Sequence, residues 1–238
     1  MSFQLVKLHA TASTNEELKV RFRESELPNL TTIYTDHQTA GKGQMGSSWV
    51  SEPFKNLTFS VLLSNLNAEF TDFEINKLVT VVLVEWLREK LQIQAVIKWP
   101  NDILSVRHKL AGVLIENIYK GNSRACSIIG IGLNVNQMDF PDLEKAISLN
   151  QITNKTYDLE LLLIDFLQAL QKALANPGEA ISRYEQHLFK YHQEARFQID
   201  GKELTARVEG VDDTGRLILI SNTYGRSTYG LKQVKWVY

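Results

Sequence analysis

The stretch Ala95-Val-Ile-Lys-Trp-Pro-Asn-Asp-Ile-Leu-Ser-Val-Arg-His-Lys-Leu-Ala-Gly112 decides how this chain is read. It sets two lysines, an amide and a carboxylate between two apolar runs, Ala95 to Trp99 and Leu110 to Ile118. Pro100 cannot donate a backbone hydrogen bond and biases Trp99 toward an extended conformation, so the first run is expected to end as a strand entering a turn. Leu110 to Ile115, short, apolar and partly β-branched, reads as a second strand. Lys98 and Lys109 would then flank a hairpin-like unit and aim positive charge at one place. On these residues alone, two solvated lysines on a sheet edge remain the plain alternative.

A second segment tips that balance. Asp36-His-Gln-Thr-Ala-Gly-Lys-Gly-Gln-Met-Gly-Ser-Ser-Trp49 packs three glycines, a lysine and two serines between the β-rich runs Thr31 to Thr35 and Leu57 to Leu63. Glycines let backbone N–H groups approach an anion closely, and Lys42 adds a full charge. Gly41, Gly43 and Gly46 match G-x-G-x-x-G, but a dinucleotide fingerprint needs a helix to begin inside the glycines. Ser47-Ser-Trp-Val-Ser-Glu-Pro-Phe54 is no helix start. The reading is a phosphate-binding loop that is not a Rossmann turn, which disfavours a nicotinamide oxidoreductase.

Composition sets outer bounds. A chain of 238 residues, 44% hydrophobic and 22% charged, holds one large domain and a small one with an ample core. A net charge of −1 gives no basic surface for nucleic acid. No run approaches the roughly 18 apolar residues of a membrane span, and Met1-Ser-Phe-Gln-Leu-Val-Lys7 has no signal-peptide pattern. The expected location is cytoplasmic. One cysteine, Cys126, excludes an internal disulfide, and its apolar surroundings predict an inert buried thiol. His9, His37, His108, His187 and His192 show no ligand spacing.

Ser13 and Thr14 each precede a glutamate three positions on, the capping pattern for a helix running to about Glu24. The same polar residues serve equally well as plain caps. Phe73 to Leu91 carries a helical apolar stripe in which Trp86 is read as packing alone, and Leu159 to Leu174 repeats the pattern behind an Asp158 cap. Pro177-Gly-Glu is expected to start a further helix ending near Lys190. After about Gln193 the texture changes to short strands, Ala195–Ile199, Leu204–Val211, Leu217–Ser221 and Ser227–Val237, with Asp200-Gly, Asp213-Thr-Gly and Tyr224-Gly as turns. The expected domains are residues 1–192 and a small β-barrel at 193–238. Asn134 between Leu133 and Val135 is odd for a core strand, because a buried amide must find partners.

Ser13-Thr-Asn15, Gln38 with Gly41 to Gly46, Trp49, Lys98 to Asp102, Lys109 to Gly112 and Gly130-Ile-Gly-Leu-Asn134 fall in the order and spacing of the biotin protein ligases, also called biotin–[acetyl-CoA-carboxylase] ligases, which this chain resembles. The resemblance is strong from about Ser13 to Asn136 and fainter from Glu203 to Ser221. It implies an α/β (α+β) fold like class II aminoacyl-tRNA synthetases, a mixed sheet with flanking helices plus a C-terminal SH3-like β-barrel. It implies ATP-dependent formation of biotinyl-5'-AMP and transfer of biotin to a lysine of a biotin carboxyl carrier protein domain.

Carried onto this sequence, the resemblance makes Lys109 the catalytic lysine on the biotin carboxylate and α-phosphate. It puts Ser13, Thr14, Asn15 and Gln38 on biotin's ring end, with Gly41, Lys42, Gly43, Gln44 and Gly112 around the rest. Lys42, Trp49, Lys98, Asn101 and Asn134 would serve ATP, Trp49 by stacking on adenine, and Asp102 would hold Mg²⁺. Many members carry arginine where this chain has Gln44, which implies weaker retention of the adenylate. Some members also carry a DNA-binding domain ahead of the Ser-Thr-Asn motif. With twelve residues before Ser13, the expectation is that the repressor role is absent. A homodimer through an exposed sheet edge is a further expectation of such folds. Two rival readings remain: a lipoate or octanoyl transferase of related fold, which lacks the Lys-Trp-Pro-Asn-Asp block, and a non-enzymatic biotin or nucleotide sensor.

Overall fold

The computed structural model describes residues 3–64, 70–141 and 143–237. The chain opens with β1 (Leu5–Thr11), α1 (Thr14–Glu24) and β2 (Thr32–Gln38), followed by the short strands β3 (Gly41–Lys42) and β4 (Ser48–Trp49) around a 3₁₀ turn. Then come β5 (Leu57–Leu63), α2 (Asp72–Leu91), β6 (Ala95–Lys98), β7 (Asp102–Ser105), β8 (His108–Lys120) and β9 (Ser123–Leu133). Helices α3 (Leu149–Thr153), α4 (Leu159–Ala173) and α5 (Pro177–Ser182) lead to β10 (Glu194–Ile199), β11 (Lys202–Val211), β12 (Leu217–Ser221), β13 (Gly225–Tyr229) and β14 (Val234–Val237).

Seven strands form one mixed sheet in the order β1-β2-β5-β9-β8-β7-β6, parallel only between β1 and β2. Its two faces are used differently. Phe59, Val61 and Leu63 of β5 and Ile129, Ile131 and Leu133 of β9 face the larger core, where Phe59 meets Phe166 of α4 edge to face at 5.7 Å. The alternate residues Leu62, Cys126 and Ile128 pack with Ile33 beneath Leu18 of α1. Strand periodicity continues that second face into Thr58, Ser60, Gly130, Gly132 and Gly112. There the side chains shrink, and α1 meets them with Thr14 and Asn15 of its first turn.

The last five strands form an antiparallel sheet in the order β13-β12-β11-β10-β14, the small SH3-like unit expected. Phe197, Val208, Leu217 and Leu219 of this unit belong to the same apolar cluster as α2 and the large sheet, so the two units share one core.

Capping explains the helices. Ser13 Oγ accepts from Glu16 N, Thr71 and Glu74 close a reciprocal box on α2, and Asp158 Oδ1 accepts from Glu160 N at 2.9 Å and Leu161 N at 3.0 Å. Trp86 packs on Phe166 as expected and also donates its indole N–H to Asp165 at 2.9 Å.

Three sequence readings are corrected. The hairpin between Ala95 and Ile115 is a three-strand meander, because Asp102–Ser105 forms β7 between β6 and β8. The helix expected to reach Lys190 stops at Ser182; Leu188 and Phe189 are extended and pair with the edge of β6, Phe189 N reaching Ile97 O at 2.7 Å. The strand read as Ser227–Val237 breaks at Gly230–Gln233, which sends β13 and β14 to opposite edges of their sheet.

Asp158→Ala removes an acceptor shared by two helix N–H groups and is expected to cost about 1 kcal/mol. In urea unfolding the midpoint should fall while the slope stays constant.

Candidate functional site

The bare part of the sheet is the floor of a cavity of about 310 Å³. α1 presents its N-terminus at one end, the Lys42–Trp49 loop closes one side, and the β6–β7 turn with Lys109 forms the other end. Of the predicted residues, Ser13, Thr14, Asn15, Gln38, Lys42, Gly43, Gln44, Trp49, Lys98, Asn101, Asp102, Lys109 and Gly112 all line it. Gly41 does not; it pairs with Trp49 at the root of the loop.

The α1 end is polar, uncharged at the floor and tightly connected. Thr14 N donates to Gln38 Oε1 at 2.9 Å, and the Ser60 hydroxyl lies 2.7 Å from Thr14 Oγ1 and 2.5 Å from Asn15 Oδ1. Asn15 Nδ2 donates to Glu116 Oε2 at 2.8 Å. A Cβ on Gly130 would overlap the Asn15 amide, and one on Gly132 would overlap the Trp49 indole. Glycine at these two positions is what lets both side chains lie on the strands. The Trp49 and Trp236 indole N–H groups are shut away from solvent without a hydrogen-bond partner. Such donors are uncommon in folded proteins and costly to leave unpaired.

The opposite end is charged. Asp102 Oδ1 lies 2.6 Å from Lys109 Nζ, and Asp102 Oδ2 lies 3.5 Å from Lys98 Nζ. Lys109 Nζ also sits 5.6 Å from the centre of the Trp49 ring. The backbone under Lys109 is clamped: its N–H donates to Lys145 O and its carbonyl accepts from Ile147 N. Asn101 is tied to β8 by Nδ2 donating to Val113 O at 2.6 Å.

The loop is a miniature hairpin. Gly43 N donates to Ser47 O at 2.7 Å, and Met45, half-exposed at the tip, takes a left-handed conformation with φ of 60°. Lys42 Nζ reaches Glu16 Oε1 at 2.8 Å, and Lys19 joins Glu16 to Glu116. Hydrogen bonding to Lys42 and Lys19 holds the Glu16 carboxyl below its ordinary range, and the same contact raises Lys42.

Asn134 is placed elsewhere. Its Nδ2 donates to the carbonyls of Lys109 at 3.3 Å and Ile147 at 3.1 Å, so the amide braces the strand that carries Lys109 and lies outside the cavity lining. The oddness of a buried amide was real, and its partners are backbone carbonyls. Sequence reading missed Thr58, Gly130 and Gly132 as floor residues, Ser60 as the hydroxyl beneath Thr14 and Asn15, and Glu16 as the loop's ionic partner. It also missed Leu231, Val234, Lys235 and Trp236, through which the C-terminal sheet reaches the cavity. The alternation of β5 and the Gly-x-Gly in β9 were the available signals for the floor.

Residues 8–134 match the model of the biotin/lipoate A/B protein ligase family. The chain is 29% identical over 224 residues to the bifunctional ligase/repressor BirA of Bacillus subtilis, spanning 90% of this chain and 69% of that protein. It is 27% identical over 228 residues to a biotin–[acetyl-CoA-carboxylase] ligase of Mycobacterium tuberculosis, 91% of this chain and 83% of the relative. Among solved structures, the biotin protein ligase of Aquifex aeolicus in complex with biotin and ATP superposes with a TM-score of 0.79 at 26% identity, covering 98% of this chain and 97% of that one.

Glu16→Gln removes the loop's surface ion pair with Lys42 along with the one to Lys19; exposed pairs contribute little, so amides of residues 42–48 should exchange with deuterium less than about tenfold faster. Because the folded Glu16 pKa is depressed, the contact is complete above the ordinary carboxylate range and is lost as pH falls through the lowered value. Loop exchange in the wild type, corrected for intrinsic rates, should rise only on that acidic side.

Proposed function

The chain belongs to the biotin/lipoate A/B protein ligase family, and from the cavity it folds around we propose how its residues carry out the reaction. The activity is ATP-dependent activation of biotin and transfer of the biotinyl group to a lysine of a carrier protein. The observation that carries the residue assignment is the division of one cavity into an uncharged hydrogen-bonding end and an end with two lysines on one aspartate.

In the first step a carboxylate oxygen of biotin attacks the α-phosphorus of ATP. The bond from that phosphorus to the bridging oxygen breaks, and pyrophosphate leaves. An anion must approach an anion, and a cation about 4 Å from a phosphate oxygen offsets roughly 4 kcal/mol at an effective dielectric near 20. Lys109 and Lys98 supply those cations, and Lys109 stands where carboxylate and α-phosphate meet. Ser13, Thr14, Asn15 and Gln38 hold the ring end, Thr14 and Asn15 fixed from beneath by Ser60, and the Lys42–Gly46 backbone with Gln44 covers the intermediate. Trp49, its N–H unpaired over the glycine floor, turns to meet adenine.

Among the described residues no cluster of three or more His, Cys, Asp or Glu side chains is built for a metal. Mg²⁺ travelling with the nucleotide needs one or two carboxylates plus phosphate oxygens, and Asp102 fits that donor set. Bound there, it would neutralise phosphate charge. Before substrates arrive Asp102 keeps both lysines oriented, and phosphate and carboxylate oxygens displace it as their partner. In the second step the carrier lysine amine attacks the biotinyl carbonyl, the bond to AMP breaks, and AMP departs as the anion.

The carrier is a biotin carboxyl carrier protein domain. We assign no nucleic-acid partner, since the chain's net charge is −1, and a cytoplasmic location. No described helix is long and apolar enough to cross a membrane. Self-association is assigned to the outer edge of β1, which pairs with β2 alone among the described strands, whereas Leu188 and Phe189 cover β6.

Incubating the protein with ATP, Mg²⁺, biotin and a carrier domain should add one biotinyl group to the carrier by intact mass. A carrier that takes lipoate in preference would overturn the substrate assignment. Lys109→Ala should cut pyrophosphate release by roughly 10²–10³-fold in a folded protein, the scale for losing one donor to developing charge. Gln44 lines the cavity, so Gln44→Arg should replace a neutral contact to phosphate with a charge-assisted one. Adenylate dissociation is expected to slow by roughly fivefold, the factor of about 1 kcal/mol. Equal dissociation rates would assign the phosphate to the backbone N–H groups alone.

A further inference from the structure

We propose that the Asp212–Arg216 turn of the C-terminal sheet is a positioning element for the nucleotide end of the cavity, acting through the Trp99 indole. The inference rests on the placement of Lys98 and Asp102 at that end.

Trp99 lies between those two residues in the β6–β7 turn and is 4% exposed. Its N–H donates to Gly215 O at 2.9 Å in a fully buried bond spanning 116 positions of sequence. The other two tryptophans of the cavity, Trp49 and Trp236, leave theirs unpaired. Gly215 has a φ of +83°, and a Cβ there would overlap the Phe73 ring. Phe73 meets Tyr184 edge to face at 5.7 Å, and Tyr184 OH lies 3.4 Å from Pro100 O. The contacts close a circuit from Gly215 through Trp99, Pro100, Tyr184 and Phe73 back to Gly215.

The turn itself is stiff. Asp212 Oδ1 accepts from Thr214 N, Thr214 Oγ1 and Arg216 N at 2.7–2.9 Å, and Gly215 N donates to Asp212 O. Gly215 O is therefore presented at a fixed point. On the far side Asn76 Nδ2 donates to Pro100 O at 2.9 Å and β8 holds Asn101, so the β6–β7 turn is pinned from α2, from the sheet and from the C-terminal unit. Lys98 and Asp102 are register partners across that turn. Releasing the third pin lets the turn rotate and misdirects both side chains, and misplacement by about 1 Å is enough to slow a reaction of this kind. The cavity's other end shares none of these contacts.

The test uses the full chain with Trp99→Phe, which keeps a ring and removes the donor, and Asp212→Ala, which loosens the turn from a partly exposed position. Single-turnover adenylate formation is measured at saturating biotin and ATP, and biotin affinity is measured by calorimetry without nucleotide. Trp99→Phe should lower the rate constant by roughly tenfold or more, and Asp212→Ala should lower it in the same direction by less. Biotin affinity should stay within about twofold for both, a split that general loosening of the fold would not produce. Normal adenylate formation in the folded variants, or parallel loss of biotin binding, would overturn the proposal. Asp102→Ala is run alongside. If it forms adenylate at the wild-type rate, the site reading fails and this inference with it. If Asp102→Ala is impaired while Trp99→Phe and Asp212→Ala are not, the positioning role alone fails.

Discussion

A helix shorter than the sheet it covers is the constraint on which the rest of this molecule depends. α1 spans eleven residues; it buries one end of a strand face through Leu18 and meets the other end with Thr14 and Asn15 of its first turn, beside the Trp49 ring. An uncovered apolar strand face would be unstable in water, and the chain meets this by shrinking its side chains there to glycine, serine and threonine. The opposite face of the same strands carries the core through Leu57, Phe59, Val61 and Leu63 of β5 and Ile129, Ile131 and Leu133 of β9. The period of two in β5 and β9 thus separates stability from function residue by residue. A one-residue slip in either strand would exchange Phe59 and Ile131 for Ser60 and Gly130 and destroy both at once.

Charge is distributed with the same economy. The head-group end relies on dipoles that satisfy one another, and its formal charges, Glu16, Lys19, Glu116 and Lys42, form a chain toward solvent. At the opposite end Lys98 and Lys109 converge on the one carboxylate of Asp102. The mixed polarity of the site is a consequence of the α1 terminus and the β6–β7 turn entering from opposite sides.

Much of this was legible in the sequence because local signals agreed with one another. Ser13 and Asp158 mark helix starts through cap chemistry that needs no tertiary partner, and both helices begin where their caps predict. That no α-helix begins in the glycine loop was legible from Pro53 and the serines, and the loop is instead a short hairpin. What stayed hidden depends on long-range register. Ile103 and Leu104 form a strand only because Ala95–Lys98 and Lys109–Gly112 lie on either side to pair with them. The break at Gly230–Gln233 was read as continuous strand, and it sends β13 and β14 to opposite edges of their sheet. Asn134 announced itself as unusual, but nothing local distinguishes an amide that touches ligand from one that braces a carbonyl. The contribution of Leu231 to Trp236 required knowing how the C-terminal sheet docks.

The Lys42–Trp49 hairpin satisfies its own hydrogen bonds, Gly41 against Trp49 and Gly43 against Ser47, and leans on the body of the protein through a surface ion pair and one indole. Its tip residues Gln44, Met45, Ser47 and Ser48 contribute little to the buried core. Such a segment can drift in sequence without a folding penalty, provided the glycines and the tryptophan stay. The rigidity of the loop beside the cavity is therefore a property that a few letters at the tip can adjust, independently of how stably the scaffold folds.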